Sequence, residues 1–198
     1  MKEINRRTFL TQTIGAAAGV SLLALPAKRT GLWAAEETTL KDGIVKDLDA
    51  KVDRFLPLYK TCSQASFAAL NEQFGLKADQ TIPALMPFAG GLSGKGETCG
   101  AVSGCMLAIG FFLDPLLRSG KVQYISALKY GRSFLDGFEK EFGSTRCREV
   151  LYRQFGRYFD LQNPEEQKEF MAESQKNPKC FEVTKRAVLI AGDIIAKG

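Results

Sequence analysis

Apolar residues recur at intervals of three and four along most of this chain, the pattern of amphipathic helices. The first such stretch covers residues 39–59, and its apolar positions are Leu40, Ile44, Leu48, Val52, Phe55 and Tyr59. Charged residues lie between these positions, so one face of the predicted helix is polar. Pro57 predicts that this helix ends or kinks near Phe55, because the residue before proline disfavours helical backbone angles.

The same reasoning predicts helices over residues 62–74, 98–113, 121–142, 144–155, 164–174 and 178–196. Gly75 and Gly143 follow two of them as C-caps, and Pro164 suits a helical first turn. The strongly apolar helix is expected to stop before Pro115, and residues 83–96, with prolines and glycines, are expected to form a loop. Since no alternating pattern of strand length occurs, we predict an all-α fold class, a single helical-bundle-like domain of about five to seven helices.

The first thirty-five residues differ from the rest. Residues 5–10 read Asn-Arg-Arg-Thr-Phe-Leu, an uncharged stretch rich in Ala and Gly follows to Ala27, and Lys28 and Arg29 come next. This arrangement resembles a twin-arginine signal, which implies export of a folded protein to a periplasmic or extracytoplasmic location. We therefore divide the chain into a signal segment, 1–35, and a helical domain, 36–198. A transmembrane anchor is the alternative, and an uncleaved N-terminus would tether the protein to the membrane.

Charge and composition narrow the function classes. Five of the 27 Lys and Arg residues and one of the 22 Asp and Glu residues lie in 1–35, which leaves 22 against 21 beyond. A domain whose positive and negative charges are so nearly equal lacks the excess of positive charge that nucleic-acid binding requires. The chain has no His, which excludes His-dependent triads, His-ligated metals and c-type haem attachment.

The five cysteines are the residues with the clearest chemical potential. Four of them, Cys62, Cys99, Cys147 and Cys180, fall in the first turn of a predicted helix with a cation within a few residues. Helix N-termini and cations favour thiolate over thiol, so we expect lowered pKa values for these four. Cys105 lies in mid-helix and is expected to be a small buried hydrophobe. No two cysteines have C-x-x-C spacing, which excludes thioredoxin-like and ferredoxin-type motifs.

Several cysteine motifs together resemble a known family. Cys62-Ser63-Gln64-Ala65, the block Cys99-Gly100-Ala101-Val102-Ser103-Gly104, Cys147 and Cys180 match in order the redox-active family named for its C, CGAxxG, C, C pattern, over residues 53–196. The resemblance implies a small helical domain with four functional cysteines. Similar domains occur in split-Soret cytochromes, whose relatives suggest iron–sulfur ligation. Because this chain has neither His nor a haem-binding motif, haem is not expected.

The first functional hypothesis is an exported electron-transfer protein rather than a substrate-converting enzyme. In it, Cys62, Cys99, Cys147 and Cys180 ligate an iron–sulfur cluster, of 2Fe-2S or 4Fe-4S type, that serves a redox partner protein. Backbone N–H groups of Gly90, Gly91 and Gly96 would bind the same cofactor. The alternatives are a metal-free dithiol–disulfide oxidoreductase or redox sensor, two structural disulfides, and a tetrathiolate zinc site.

The long helix from residue 121 would allow a homodimer to form if it presents an exposed apolar face. The first hypothesis requires all four sulfur atoms to lie in one pocket.

Overall fold

Residues 40–198 are the part of the chain that the computed structural model describes, and they are helical almost throughout. Eight helices and no strand occur within this range, so the predicted all-α single domain is confirmed. The predicted signal segment, 1–35, with its cleavage site and its tether, lies outside the described residues.

The helices, in chain order, are α1 (Asp42–Tyr59), α2 (Cys62–Phe74), α3 (Ala89–Leu92), α4 (Gly100–Arg118), α5 (Tyr124–Phe142), α6 (Cys147–Phe155), α7 (Pro164–Lys176) and α8 (Lys179–Lys197). A 3-10 segment, Asp79–Phe88, links α2 to α3, which is a single turn. An isolated antiparallel bridge pairs Thr98 with Arg146. This bridge joins the residues that precede α4 to those that precede α6.

Local capping explains several helix ends. Gly75 and Gly143 adopt left-handed backbone angles after α2 and α5, as the sequence predicts. Glycine has no Cβ to clash in that conformation, so the chain can turn there and satisfy a free carbonyl. Thr61 caps α2 by accepting the Gln64 N–H. Pro164 occupies the first turn of α7 behind an Asn163 cap, which confirms that prediction.

Two predicted helix ends are wrong, both at prolines. The first helix continues past Pro57 to Tyr59, and α4 continues past Pro115 to Arg118. A proline removes one backbone hydrogen bond from a helix. Here each proline lies in the last turn of its helix. The single backbone hydrogen bond that it removes is therefore lost close to the C-terminal end of the helix.

The predicted loop and one predicted helix start also need correction. Residues 83–88 belong to the 3-10 segment, so the predicted loop is wrong there, whereas Gly90, Gly91 and Leu92 in the turn that follows have left-handed backbone angles. The helix expected from Ser144 begins at Cys147 instead. Arg146 is extended and paired with Thr98, and a residue in such a pairing cannot also start a helix.

At the centre of the fold lies α2, in which every residue from Ser63 to Asn71 is buried. It packs against α1, α4 and α8. By length and composition α4 is the one helix within residues 40–198 that could cross a membrane, yet it also packs against α2, α5 and α8. The short acidic helix α7 has no buried residue, as expected for a surface helix.

Candidate functional site

Four cysteines begin four different helices. Cys62 and Cys147 are the first residues of α2 and α6, Cys180 is the second residue of α8, and Cys99 is the N-cap of α4. The prediction that each lies at a helix N-terminus is confirmed. Since these N-termini are far apart in the chain, only tertiary packing can bring their side chains together.

The structure does bring them together. Cys62 and Cys147 both act on the pKa of the Cys99 thiol, so these three side chains lie within interaction range. Cys180 lies close enough to Cys62 for the two side chains to interact electrostatically. The contacts therefore run from Cys180 to Cys62, then to Cys99, then to Cys147. Each is a free cysteine, so no pair of them forms a disulfide here.

Two glycines allow α2 and α4 to meet at this point. A Cβ atom added to Gly100 would lie 2.6 Å from the Cys62 Sγ. At Gly104, one turn further along α4, it would lie 2.2 Å from the Ser66 Oγ and 2.3 Å from the Ser63 carbonyl oxygen. Real Cβ atoms do not approach other atoms so closely. The absence of side chains at both positions therefore sets the distance between the two helices, and with it the Cys62–Cys99 contact.

The bridge before α4 and α6 positions the second pair of sulfurs. The Cys99 N–H donates to the Thr145 carbonyl oxygen at 2.8 Å, and the Cys147 N–H donates to the Glu97 carbonyl oxygen at 2.6 Å. These reciprocal backbone bonds hold Cys99 and Cys147 side by side.

The glycines predicted to contact a cofactor support this bridge. The Gly96 N–H donates to the Gly90 carbonyl oxygen at 3.1 Å, and the Glu97 N–H to that of Gly91 at 3.0 Å. A Cβ atom on Gly91 would lie 2.6 Å from the Cys147 Cβ. The Gly96 N–H is thus already used within the loop, while cofactor contact by Gly90 and Gly91 stays a prediction.

The centre has an outer and an inner side. Cys99 is 4% exposed and Cys147 is 6% exposed, whereas Cys62 and Cys180 are half-buried. As residues, Cys62 and Cys180 therefore lie nearer to solvent than Cys99 and Cys147 do.

The expectation of thiolates is wrong for three of the four cysteines. The hydrogen bond with Cys99 and burial raise the pKa of Cys62, and the hydrogen bond with Cys147 and burial raise that of Cys99. Burial, together with nearby Cys62, raises the pKa of Cys180 to about 12. A buried charge is costly, and two adjacent thiolates repel each other, so the protonated form is preferred.

Backbone N–H groups at the helix N-termini do lower the pKa of Cys62, as expected, but this effect is smaller than that of Cys99 and burial. The N–H groups of Cys62 and Ala101 lower the pKa of Cys62, against the larger effects of Cys99 and burial. The largest effects on the pKa values of Cys62, Cys99 and Cys180 come from burial and from other cysteines. Arg146, next to Cys147 in the chain, is half-exposed and bonds Glu97 at 3.0 Å instead.

Cys105 is fully buried, as the sequence predicts. Burial raises its pKa, a hydrogen bond with Ser66 lowers it, and Cys99 and Cys62 act on it electrostatically. It is therefore a fifth sulfur beside the centre. Ser66 was not predicted from the sequence to be near the cysteines. The feature that points to it is the run of small and polar residues in this part of α2.

The arrangement of these side chains does not fit a metal ion as it stands. Among residues 40–198, no group of three or more Cys, Asp and Glu side chains is placed so that it could hold one. The sulfurs instead make pairwise contacts, with Cys99 between Cys62 and Cys147.

Comparison with known proteins gives one match. A family model described as "Putative redox-active protein (C_GCAxxG_C_C)" matches residues 60–194, more than half of the chain. Neither the curated proteins nor the solved structures contain a significant match. The matched range includes all four helix-initiating cysteines and the two glycines at the α2–α4 contact. On the extent of this match, the chain belongs to the C_GCAxxG_C_C family of redox-active proteins.

Proposed function

We propose that the cysteine centre works as a dithiol–disulfide couple in which Cys99 pairs with one of its two neighbours. The observation that carries this proposal is the position of Cys99 between two neighbours, since the Cys62 Sγ lies against Gly100, the next residue, and reciprocal backbone bonds hold the segments of Cys99 and Cys147 side by side. Two thiols in contact form a disulfide with little movement, and they release two electrons and two protons. The pairwise arrangement supports this chemistry better than it supports a metal ion.

The difference in exposure suggests an order of steps with a partner disulfide. Cys62, a less buried residue than Cys99, would attack one sulfur of the partner, form a mixed disulfide and release the other partner sulfur as a thiol. Cys99 would then attack the Cys62 Sγ, which forms the Cys62–Cys99 bond and releases the second partner thiol. The two protons from Cys62 and Cys99 pass to the two departing partner sulfurs, so the exchange is balanced.

The test is to count reactive thiols before and after oxidation. The full chain is oxidised, denatured and alkylated, and its mass is measured. We expect the wild type to lose two alkylatable thiols, the Cys99→Ser variant to lose none, and the Cys105→Ser control to behave like the wild type. A disulfide that still forms in Cys99→Ser, for example between Cys62 and Cys180, would contradict the proposal.

Ligation of an iron–sulfur cluster by Cys62, Cys99, Cys147 and Cys180 is a second candidate. A separate observation favours it, namely that burial and other sulfurs raise the pKa values of Cys62, Cys99 and Cys180, so that thiolates there need positive charge to stabilise them. Coordination to iron deprotonates cysteines and supplies that missing positive charge. The centre would then pass electrons to a redox partner protein. Bringing the sulfurs from pairwise contact into a ligand set would require side-chain rearrangement.

Metal analysis separates the two candidates. Anaerobically purified protein is assayed for iron, acid-labile sulfide and visible absorbance that dithionite bleaches. The cluster candidate predicts all three signals in the wild type and in Cys105→Ser, and their loss in Cys99→Ser. Colourless, iron-free wild-type protein that still forms the Cys99 disulfide would rule it out and support the dithiol couple.

We also propose that the protein acts outside the cytoplasm. The support is the paired arginines before an uncharged stretch near the N-terminus. Replacement of both Arg6 and Arg7 by Lys should retain the protein in the cytoplasm, which cell fractionation measures. Unchanged export in that variant would overturn the twin-arginine route.

A further inference from the structure

A group of large apolar side chains is exposed where α4 ends and α5 begins. Tyr124 is 70% exposed, Ile125 is 66% exposed and Leu128 is 40% exposed, while Leu117 at the end of α4 is 36% exposed. Single exposed apolar residues are ordinary, but a cluster on one side of a molecule indicates an interaction surface.

The loop before α5 and the first turns of that helix carry exposed basic residues, whereas the exposed Asp136 and Glu139 follow further along the same helix. Residues 115–135 contain Arg118, Lys121, Lys129 and Arg132 and no Asp or Glu. Arg118 pairs with Asp114 one turn earlier. Lys121, Lys129 and Arg132 are exposed and make no ion pair within residues 40–198. A body with nearly balanced charge therefore concentrates free positive charge at this place.

Helix geometry puts the apolar and basic residues on one face. In an α-helix, the residues one, four, five and eight positions after a given residue lie, together with it, within an arc of less than half a turn. Tyr124, Ile125, Leu128, Lys129 and Arg132 have this spacing. The opposite face, with Ala127, Phe134 and Phe138, is buried. We call the exposed set of five residues the α5 basic–apolar face.

We propose that the α5 basic–apolar face binds an anionic lipid surface. Apolar side chains can enter the headgroup region, where a tyrosine ring is well accommodated, while Lys and Arg reach the lipid phosphates beside them. The positive charge of Lys121, Lys129 and Arg132 complements an anionic bilayer, while the acidic Asp136 and Glu139 lie beyond these residues towards the end of α5. This inference does not depend on the chemistry of the cysteines.

The test places a fluorescent reporter in the face itself. The full chain contains one tryptophan, Trp33, so a Trp33→Phe background that also carries Tyr124→Trp has its single indole on the α5 basic–apolar face. The probes are vesicles of phosphatidylglycerol and phosphatidylcholine in equal parts, and vesicles of phosphatidylcholine alone, each with brominated acyl chains. We expect a blue shift and bromine quenching with the anionic vesicles only. A signal from this position is independent of any contact that the N-terminal segment makes.

Two controls make the result specific. Met171 on α7 is 50% exposed, so Met171→Trp in the same background should be neither shifted nor quenched. Adding Lys129→Glu and Arg132→Glu to the Tyr124→Trp protein should weaken its vesicle binding at least about tenfold, whereas Lys168→Glu on α7 should not. All these side chains are exposed, so the fold tolerates the changes.

Three outcomes would overturn the proposal. The first is equal quenching of the Tyr124→Trp reporter in neutral and anionic vesicles, and the second is equal quenching of the Met171→Trp reporter. The third is a blue shift without vesicles that grows with protein concentration, which would assign the face to contact with a second copy of the chain.

Discussion

A thiol in this centre keeps its proton because of what surrounds it. Each of Cys62, Cys99 and Cys180 is held among other sulfurs and apolar atoms, and its pKa is raised by them. Helix N-terminal N–H groups that would stabilise a thiolate at an open surface are outweighed when burial and a second sulfur oppose the charge. A centre of this kind reacts through a proton-coupled step or through a cation that replaces the protons.

The raised pKa of Cys180 predicts a pH dependence of stability. The pKa is about 12 in the folded protein against a reference value of 9.0. Because the folded value is the higher one, the stabilisation is complete below the reference value and is lost as pH rises towards the folded value. We expect the free energy of unfolding to fall between about pH 9 and pH 12, and to fall less steeply in Cys180→Ala. Urea titrations across that range measure it, and identical slopes would refute the assignment.

At the scale of elements, the closeness of α2 and α4 decides whether the sulfurs of Cys62 and Cys99 meet. Gly100 and Gly104 lie one turn apart on α4, directly under Cys62, Ser63 and Ser66 of α2. A side chain at either position would push the helices apart. These two glycines act on the chemistry only through the position of α2.

Gly104→Ala tests this helix contact. Its methyl group would overlap the Ser66 hydroxyl and the Ser63 carbonyl, so we expect a loss of about 1–3 kcal/mol in stability, as in other overpacked cores. The Cys62–Cys99 disulfide should also form less readily. The matched control is Gly110→Ala in the same helix, which meets nothing within 4 Å and should gain up to about 1 kcal/mol. Chemical denaturation measures both, and equal effects would contradict the account.

The bridge between the α4 and α6 N-termini makes a second prediction. Gly91 has a φ of +69° and no room for a Cβ beside Cys147 and Glu97, whereas Gly156 has a φ of +76° and nothing within 4 Å. Gly156→Ala should cost about 1–2 kcal/mol for the backbone conformation alone. Gly91→Ala should cost more, because the added methyl group would also overlap Cys147 and Glu97. Equal costs would show that the close approach at Gly91 is unimportant.

At the scale of the whole molecule, one central core carries the fold and a smaller aromatic cluster is attached to it. Phe134 and Phe138 of α5 are fully buried in the central core. Phe155, Phe159 and Phe170 pack edge-to-face with one another near α7. All four helices that begin at the cysteines contribute buried residues to the central core, so loss of that core disperses the sulfurs.

Two phenylalanine substitutions separate these regions. Phe138→Ala should lower the free energy of unfolding by about 3–5 kcal/mol, because it leaves a large cavity in the central core. Phe170→Ala removes a half-buried ring and should cost about 1–2 kcal/mol. Urea titration gives the stabilities, and the thiol count at low urea should change in the first variant before the second. A larger cost for Phe170→Ala would show that the aromatic cluster is part of the central core.

Local sequence signals were sufficient to predict the helices, but they did not predict all of the residues at which the helices begin and end. Apolar spacing, Gly75, Gly143 and Pro164 predicted elements that the structure contains, because these effects act within a few residues. Pro57 and Pro115 misled, since the cost of a proline depends on how much helix follows it. The late start of α6 could not be predicted either, because it depends on pairing with Thr98, 48 positions earlier than Arg146.

The sequence by itself determined the all-α class, the position of four cysteines at helix N-termini and the family to which the chain belongs, because periodicity, capping and motif order are local properties. Only the tertiary structure decided that Cys99 lies between Cys62 and Cys147, that burial and neighbouring sulfurs raise the pKa values of Cys62, Cys99 and Cys180, and that Cys105 lies beside them. Distances between remote residues and the loss of water around them arise from packing, and pKa values follow from both.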